Sequence, residues 1–409
     1  MVAQNAYSLF VLCLCYNLSM TTHVFIVDSQ TFKVHLEYLF AGTGAKDYAI
    51  DFNNSNNSDL HYTTENMLTA MSADAGRIRR GDKILFYLQQ NFSDKITEGK
   101  FYGIFEATEN WSFLDNNNTR QYLKNELDKN LTYRTLLSPD SVYAEGVTEW
   151  EALDDISRIH APQQMLWSLI YRKLKGNRGN TMVTIYESER LCQLIRDKNL
   201  RSPIVIGDNQ LSFDKESQRI VLNNNQPVAY TGCQEEINFL PRLITKYNEG
   251  KAFEAHLQSY IVKNIGLGQN TSLDNSILGG DFGAIEWLGN EVSCGVGMQR
   301  IDIAISLNQN GQRKFLPIEL KAVEANLDNI RQVSRYIDWI EQYYTPNLPS
   351  DILPIVVAKE FSDKTNPKYI EIIQSFKDFN TRNTARCGSI KYVEYKIENN
   401  NLIFNEITY

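Results

Sequence analysis

The clearest pattern of apolar and polar positions lies between Arg300 and Lys321. Ile301, Ile303, Ile305 and Leu307 alternate with Asp302, Ala304 and Ser306, which predicts a strand with one buried face. Asn310-Gly311 follows, and the pair suits a type I′ turn because both central residues need positive φ. With those two residues as the whole loop, Gln309 faces Gln312, and the register carries Asp302 opposite Glu319. Lys321, two residues on, shares their face. Pro317 runs against this reading, since proline is poorly placed in a central strand.

Elsewhere the pattern predicts a mixed α/β chain. Strands are expected at 23–27, 81–88 and 101–108, with a short helix over 31–39 capped by Asp28-Ser29. Residues 41–44 read as a glycine turn and 91–100 as a polar loop. Short strands are expected at 203–206, 211–213 and 219–222. Residues 235–263 read as helical with a break at Gly250. In the second half Phe253, Leu257, Tyr260 and Ile261 form one apolar face, with Glu254 at its border. The glycine-rich stretch 266–297 reads as irregular around a strand holding Trp287 and Glu291. Leu327, Ile330, Ser334, Ile337, Ile340 and Tyr344 recur at helical spacing, with Gln332, Arg335, Tyr336 and Trp339 on an adjoining face. A strand at 352–358, a helix at 368–379 and a hairpin of 390–397 with 402–407 complete the chain.

Composition adds bounds. At 409 residues, 43% hydrophobic and 22% charged, the chain fits two or three globular domains. A net charge of −8 argues against a generally basic nucleic-acid coat, though not against a local basic groove. Six scattered cysteines suit reduced thiols and a cytoplasmic location. Residues 1–19 hold an apolar run with no preceding Lys or Arg, so they read as a leader or a mis-assigned start; a membrane span is not expected.

Two carboxylates facing each other across a hairpin repel unless a cation sits between them. A divalent ion with oxygen ligands fits, and Mg²⁺ uses one or two carboxylates plus water and phosphate. Lys321 beside such an ion could orient or help deprotonate a water, which is the chemistry of metal-assisted phosphodiester hydrolysis. The same residues also suit a solvent-facing hairpin with scattered charges. Arg172, Lys173, Lys175 and Arg178 form a basic run beside Gly176 and Gly179, suited to phosphate or to a solvated loop. Tyr87, Tyr102, Trp111 and Phe113 would serve either as core or as a stacking pocket for a base.

The Asp…Glu-x-Lys set of Asp302, Glu319 and Lys321 resembles the PD-(D/E)XK nuclease superfamily, and its flanks resemble the NucS-type branch. Phe253–Ile261 is similar to that family's opening helix and places its glutamate at Glu254. Arg300–Ile303 and Ile318–Lys321 match the two catalytic strands, and Gln332 with Tyr336 matches the Gln-xxx-Tyr pair of the following helix. The match spans roughly 245–409. It implies an αβββαβ core, catalytic residues Glu254, Asp302, Glu319, Lys321 and Gln332, metal ligands Asp302 and Glu319, a DNA contact at Tyr336, and Mg²⁺ with Mn²⁺ as a substitute. Residues 20–200, with Gly81-Asp-Lys-Ile-Leu-Phe-Tyr and the strand around Gly103, resemble the EVE branch of PUA-like domains. That implies a barrel-like sheet whose pocket accepts a flipped, often modified base, with 201–244 as connector. The expectation is a restriction-type endonuclease on double-stranded DNA, working as a homodimer. A NucS-like repair nuclease and a non-catalytic nucleic-acid binder are the alternatives.

Overall fold

The computed structural model describes residues 21–44, 62–115, 121–170, 179–294, 299–344 and 348–409. The basic run at 172–178 and the 1–19 leader therefore lie outside the described residues. Two sheets organise the rest. The first takes β1 (Thr22–Val27), β2 (Phe40–Thr43), β3 (Lys83–Leu88), β4 (Lys100–Ala107), β5 (Phe113–Leu114), β6 (Tyr133–Pro139), β7 (Val147–Thr148) and β8 (Asn180–Val183). Its order is β2-β6-β4-β3-β1-β8, with β5 beside β6 and β7 beside β4, curled into a half-barrel. β1 runs parallel to β3 and antiparallel to β8.

Local sequence explains much of this. Helix α1 (Ser29–Tyr38) starts where Asp28 accepts from Thr31 N at 2.7 Å, a capping box, and ends with Leu39 in the left-handed region at φ 47°. The glycine turn expected at 41–44 is instead strand β2, paired from Phe40↔Leu136 to Thr43↔Tyr133. Gly42 permits this because a Cβ there would meet Leu131 Cβ at 3.1 Å. Helices α2 (Tyr62–Gly76) and α3 (Ile185–Lys198) flank the sheet. No strand forms at 203–206. The hairpin of β9 (Gln210–Asp214) and β10 (Arg219–Asn223) does form, and Leu211, Phe213 and Ile220 pack into the same core as Phe32, Phe86 and Tyr102. The stretch expected to connect two domains is thus partly core.

The second half begins with α4 (Leu240–Asn248), α5 (Glu254–Asn264) and α6 (Thr271–Ile277). The helix expected from residue 235 starts at 240 because Glu235 pairs as strand with Leu114, and Pro241 occupies the first turn. A six-stranded sheet follows: β11 (Ala284–Ser293), β12 (Arg300–Gln309), β13 (Gln312–Leu320), β14 (Ile355–Lys359), β15 (Lys391–Glu398) and β16 (Asn401–Ile407), hydrogen-bonded in that order. β13, β14 and β15 are mutually parallel and the outer pairs antiparallel. Helices α7 (Asp328–Tyr343) and α8 (Pro367–Asn383) cover one face, and α5 and α6 the other. In the region 266–297 the strand expected around Trp287 and Glu291 is the ten-residue β11, whereas α6 was not expected.

The two halves share a buried polar seam. α2 packs along α5, where Glu65 meets Arg242 at 2.7 Å, Lys246 at 3.0 Å and His256 at 3.0 Å. Arg79 donates to the carbonyls of Val262 and Lys263, at 2.7 and 3.1 Å. Trp287 Nε1 donates to Val183 O at 2.8 Å, and Asn290 Nδ2 to Asp74 Oδ1 at 3.0 Å. Met182 and Ile185 of the first half lie in one apolar cluster with Ile337, Ile340 and Val356 of the second.

Candidate functional site

The hairpin of β12 and β13 has the predicted register. Gln309 pairs with Gln312, and the ladder runs to Ile303↔Ile318. Asn310 and Gly311 take φ 54° and 85°, as a type I′ loop requires. Pro317 is tolerated because it faces Ala304 at a pair where antiparallel strands exchange no bond, and the β14 ladder starts one residue later at Ile318↔Ile355. Beyond Ile303 the ladder to β13 stops. Leu320 N–H donates to Asp302 Oδ2 at 2.8 Å, so the Asp302 carboxylate takes up a backbone donor where the strands part.

Three acids and one cation converge at this fork. Glu319 is fully buried, with Lys321 Nζ at 2.7 Å from Oε1 and the Tyr336 hydroxyl donating to Oε2 at 2.5 Å. Asp302 is half-buried. Burial, then the neighbouring Glu319 charge, push its carboxyl well above the usual range, and Glu254 adds to this. Burial draws the Lys321 ammonium down, but Glu319, Glu254 and Asp302 outweigh it and hold it above its ordinary value. Glu254 stands exposed at the start of α5, its Oε2 accepting from Ala322 N at 3.3 Å. Of the other two acids, Glu319 exerts the larger charge effect on Asp302. Among the described residues no set of three or more His, Cys, Asp or Glu side chains is arranged to enclose a metal ion.

Other predicted positions fall differently. Tyr336, expected to touch DNA, is 3% exposed and bonds Glu319; burial and the Asp302 and Glu319 charges raise its hydroxyl far above normal. Gln332, expected to be catalytic, lies one turn earlier on α7, 3.5 Å from Asn329 Nδ2 and with no hydrogen bond to the carboxylates. Gln258 was missed. Its Nε2 donates to Asp302 O at 2.8 Å, and the legible signal was its i+4 spacing from Glu254 on one helix face.

The four aromatic residues expected to line a base pocket do not converge. Tyr87 pairs with Phe101 and Tyr102 with Phe86, so the two tyrosines point to opposite faces of the sheet. Tyr87 binds Glu149, and Tyr102 donates to Gln218 O at 2.7 Å. Trp111 lies under Lys263 Nζ at 5.3 Å, and Phe113 packs on Tyr230 at 5.4 Å between ring centroids.

A cleft of about 1130 Å³ opens at the C-terminal end of β13. Glu254 is on its wall, together with Ala322 to Asp328 and the cations Lys251, Lys359 and Lys368. Asp302, Glu319 and Lys321 do not line it.

No family model matches the chain, and no curated protein matches it. Solved structures are similar at low scores, among them the following three. A hypothetical protein from Leishmania major gives a TM-score of 0.29 at 12% identity, over 44% of this chain and 96% of that one. Human THYN1 protein in complex with 5-methylcytosine-containing DNA gives 0.23 at 10%, over 42% and 97%. The restriction endonuclease FokI bound to DNA gives 0.20 at 11%, over 59% and 41%. At TM-scores this low, function has to be read from this chain's own side chains.

Proposed function

We propose that this chain is a metal-dependent DNA endonuclease of restriction type, with the fork of β12 and β13 as its active site. The observation that carries the reading is the gathering of Asp302, Glu319 and Lys321 where β12 and β13 part, with burial and the Glu319 charge pushing the Asp302 carboxyl up against the smaller opposing effects of Leu320 N–H and Lys321. This donor set fits a hard divalent ion: both ligands are carboxylates, and Lys321 offsets only part of the upward pressure on Asp302. When bound by Asp302 and Glu319, Mg²⁺ or Mn²⁺ supplies Lewis-acid polarisation of the phosphate and a more acidic water.

The chain's own residues set the geometry. Tyr336 and Lys321 fix the two oxygens of Glu319. Leu320 N–H and, through the backbone, Gln258 fix Asp302. Lys321 is the positive charge nearest the reacting phosphate. Glu254 stands where the cleft meets the fork, and Lys251, Lys359 and Lys368 line a path for the flanking backbone. On this reading the N-terminal sheet, an EVE-like module, selects the target, and two copies act together to cut both strands.

One observation favours a second reading, a non-catalytic DNA binder. Glu319 is fully buried with both oxygens engaged by its own neighbours. Supercoiled plasmid incubated with the full chain in MgCl₂, MnCl₂ or EDTA separates the two. The nuclease reading expects nicked or linear product with either metal and none in EDTA. Retention of plasmid in a gel shift without cleavage in any metal supports the binder instead.

A further inference from the structure

Past Leu320 the chain leaves the sheet. Ala322 and Val323 then line the cleft, as do Phe253 and Glu254 at the start of α5. The exit from β13 is tied down on several sides. Lys321 N donates to Val357 O at 2.9 Å, and Lys359 N donates to Val323 O at 3.1 Å, both through β14. Ala322 N donates to Glu254 Oε2 at 3.3 Å. Ala322 O accepts from the Tyr395 hydroxyl at 2.9 Å, a bond that reaches across from β15.

Tyr395 is 0% exposed and packs in one apolar cluster with Leu257, Val357, Val393 and Phe404. Its ring meets Phe253 edge-on, with centroids 6.4 Å apart. Phe253 immediately precedes Glu254, and Ala322 immediately follows Lys321. One side chain thus holds the residue before Glu254 with its ring and the residue after Lys321 with its hydroxyl. Burial, then the neighbouring Tyr247 and Glu254, push that hydroxyl well above its ordinary value, so it stays protonated and donates at neutral pH. A phenylalanine would fill the same apolar space, and the hydroxyl adds the bond to Ala322.

We infer that Tyr395 is a positioning residue that sets the separation of Glu254 and Lys321 across the mouth of the fork. The inference rests on the nuclease reading and deepens it, adding a residue from outside the catalytic hairpin. A buried carbonyl that loses its donor is costly to leave unpaired, so Ala322 would turn toward another partner. Turning Ala322 re-aims Lys321 on one side and loosens Glu254 on the other. Among the described residues Tyr395 makes no hydrogen bond to Asp302 or Glu319, so its loss falls on the chemical step and spares binding.

The test is a double-mutant cycle on the full chain: Tyr395→Phe, Glu254→Ala and the two together, read by plasmid cleavage in MgCl₂ and by urea melts in EDTA. Tyr395→Phe should lower kcat about tenfold with KM within about twofold of wild type, and should add little further loss once Glu254 is alanine. In the melts, the midpoint shift of the pair should be smaller than the sum of the single shifts, because both residues act on Ala322. Cleavage by Tyr395→Phe at the wild-type kcat, or additive shifts in the melts, overturns the positioning role and leaves the nuclease reading standing wherever wild type cuts. Non-additive melts in a chain whose wild type cuts no plasmid keep the link between Tyr395 and Glu254 and overturn the nuclease reading.

Discussion

At the scale of single residues, the fork holds groups that oppose the stability of the fold. The Asp302 carboxyl lies above its ordinary range through burial and the Glu319 charge, so the folded state disfavours its ionised form. A carboxyl raised in this way contributes stability below the unfolded pKa, near 3.9, and loses it as pH rises through the folded value. In EDTA at pH 8, Asp302→Asn should therefore stabilise the chain by on the order of 1 kcal/mol, and at pH 4 by much less, as read by urea melts. Equal melting midpoints at pH 8 would show that the carboxylate pair is not under strain. Tyr336 is the second informative residue. Tyr336→Phe keeps the ring in its core and removes the bond to Glu319. A positioning role predicts a fall in kcat of roughly tenfold with DNA affinity unchanged, whereas a DNA-contact role predicts weaker binding at constant kcat.

At the scale of elements, the seam of α2 and α5 is where acid should act first. Burial holds the His256 imidazole below its usual range. Burial opposes ionisation of Glu65, yet bonds from His256, Arg242 and Lys246 hold it below the carboxylate range. The unfolded chain takes up a proton at the first near pH 6.5 and at the second near 4.3, and the folded chain resists both. Stability should therefore fall as pH drops through about 6.5 and again below about 4.3. Glu65→Gln removes the carboxylate that two buried cations share, which should cost about 3–5 kcal/mol at pH 7 and flatten the acid limb of the curve. A pH profile identical to wild type would place the acid sensitivity elsewhere. The elements also show what sequence could reveal. The register of β12 on β13 was legible because Asn-Gly admits one common loop geometry and alternation fixes the faces. The hairpin of β15 and β16 was legible for the same reason, with Asn399 and Asn400 at φ 50° and 59°. The strand at 40–43 was not, because its glycines signal a turn while the reason for them, the close approach of Leu131, is a tertiary contact. The aromatic pocket failed on a parity that becomes visible once β3 and β4 are paired.

At the scale of the whole molecule, the two sheets are not independent beads. Expressed alone, residues 201–409 would leave α5, Trp287 and Asn290 without the groups of α2 and β8 that satisfy them. That fragment should be insoluble or lack a cooperative melt; a sharp melt at the full-length midpoint would contradict the seam. Target choice therefore has to be tested in the intact chain. No helix among the described residues is long and apolar enough to cross a membrane. The described cysteines, Cys192, Cys233, Cys294 and Cys387, are free thiols. The central claim is that the fork of β12 and β13 cuts DNA, and its most direct test compares full-length wild type with Asp302→Asn and Glu319→Gln in MgCl₂. Plasmid cleavage and DNA affinity are measured side by side, with folding checked by melting. The account predicts cleavage reduced at least about 100-fold in both variants, the loss of several kcal/mol of charge stabilisation, with affinity within a few-fold of wild type. Cleavage at the wild-type rate by either folded variant would contradict it.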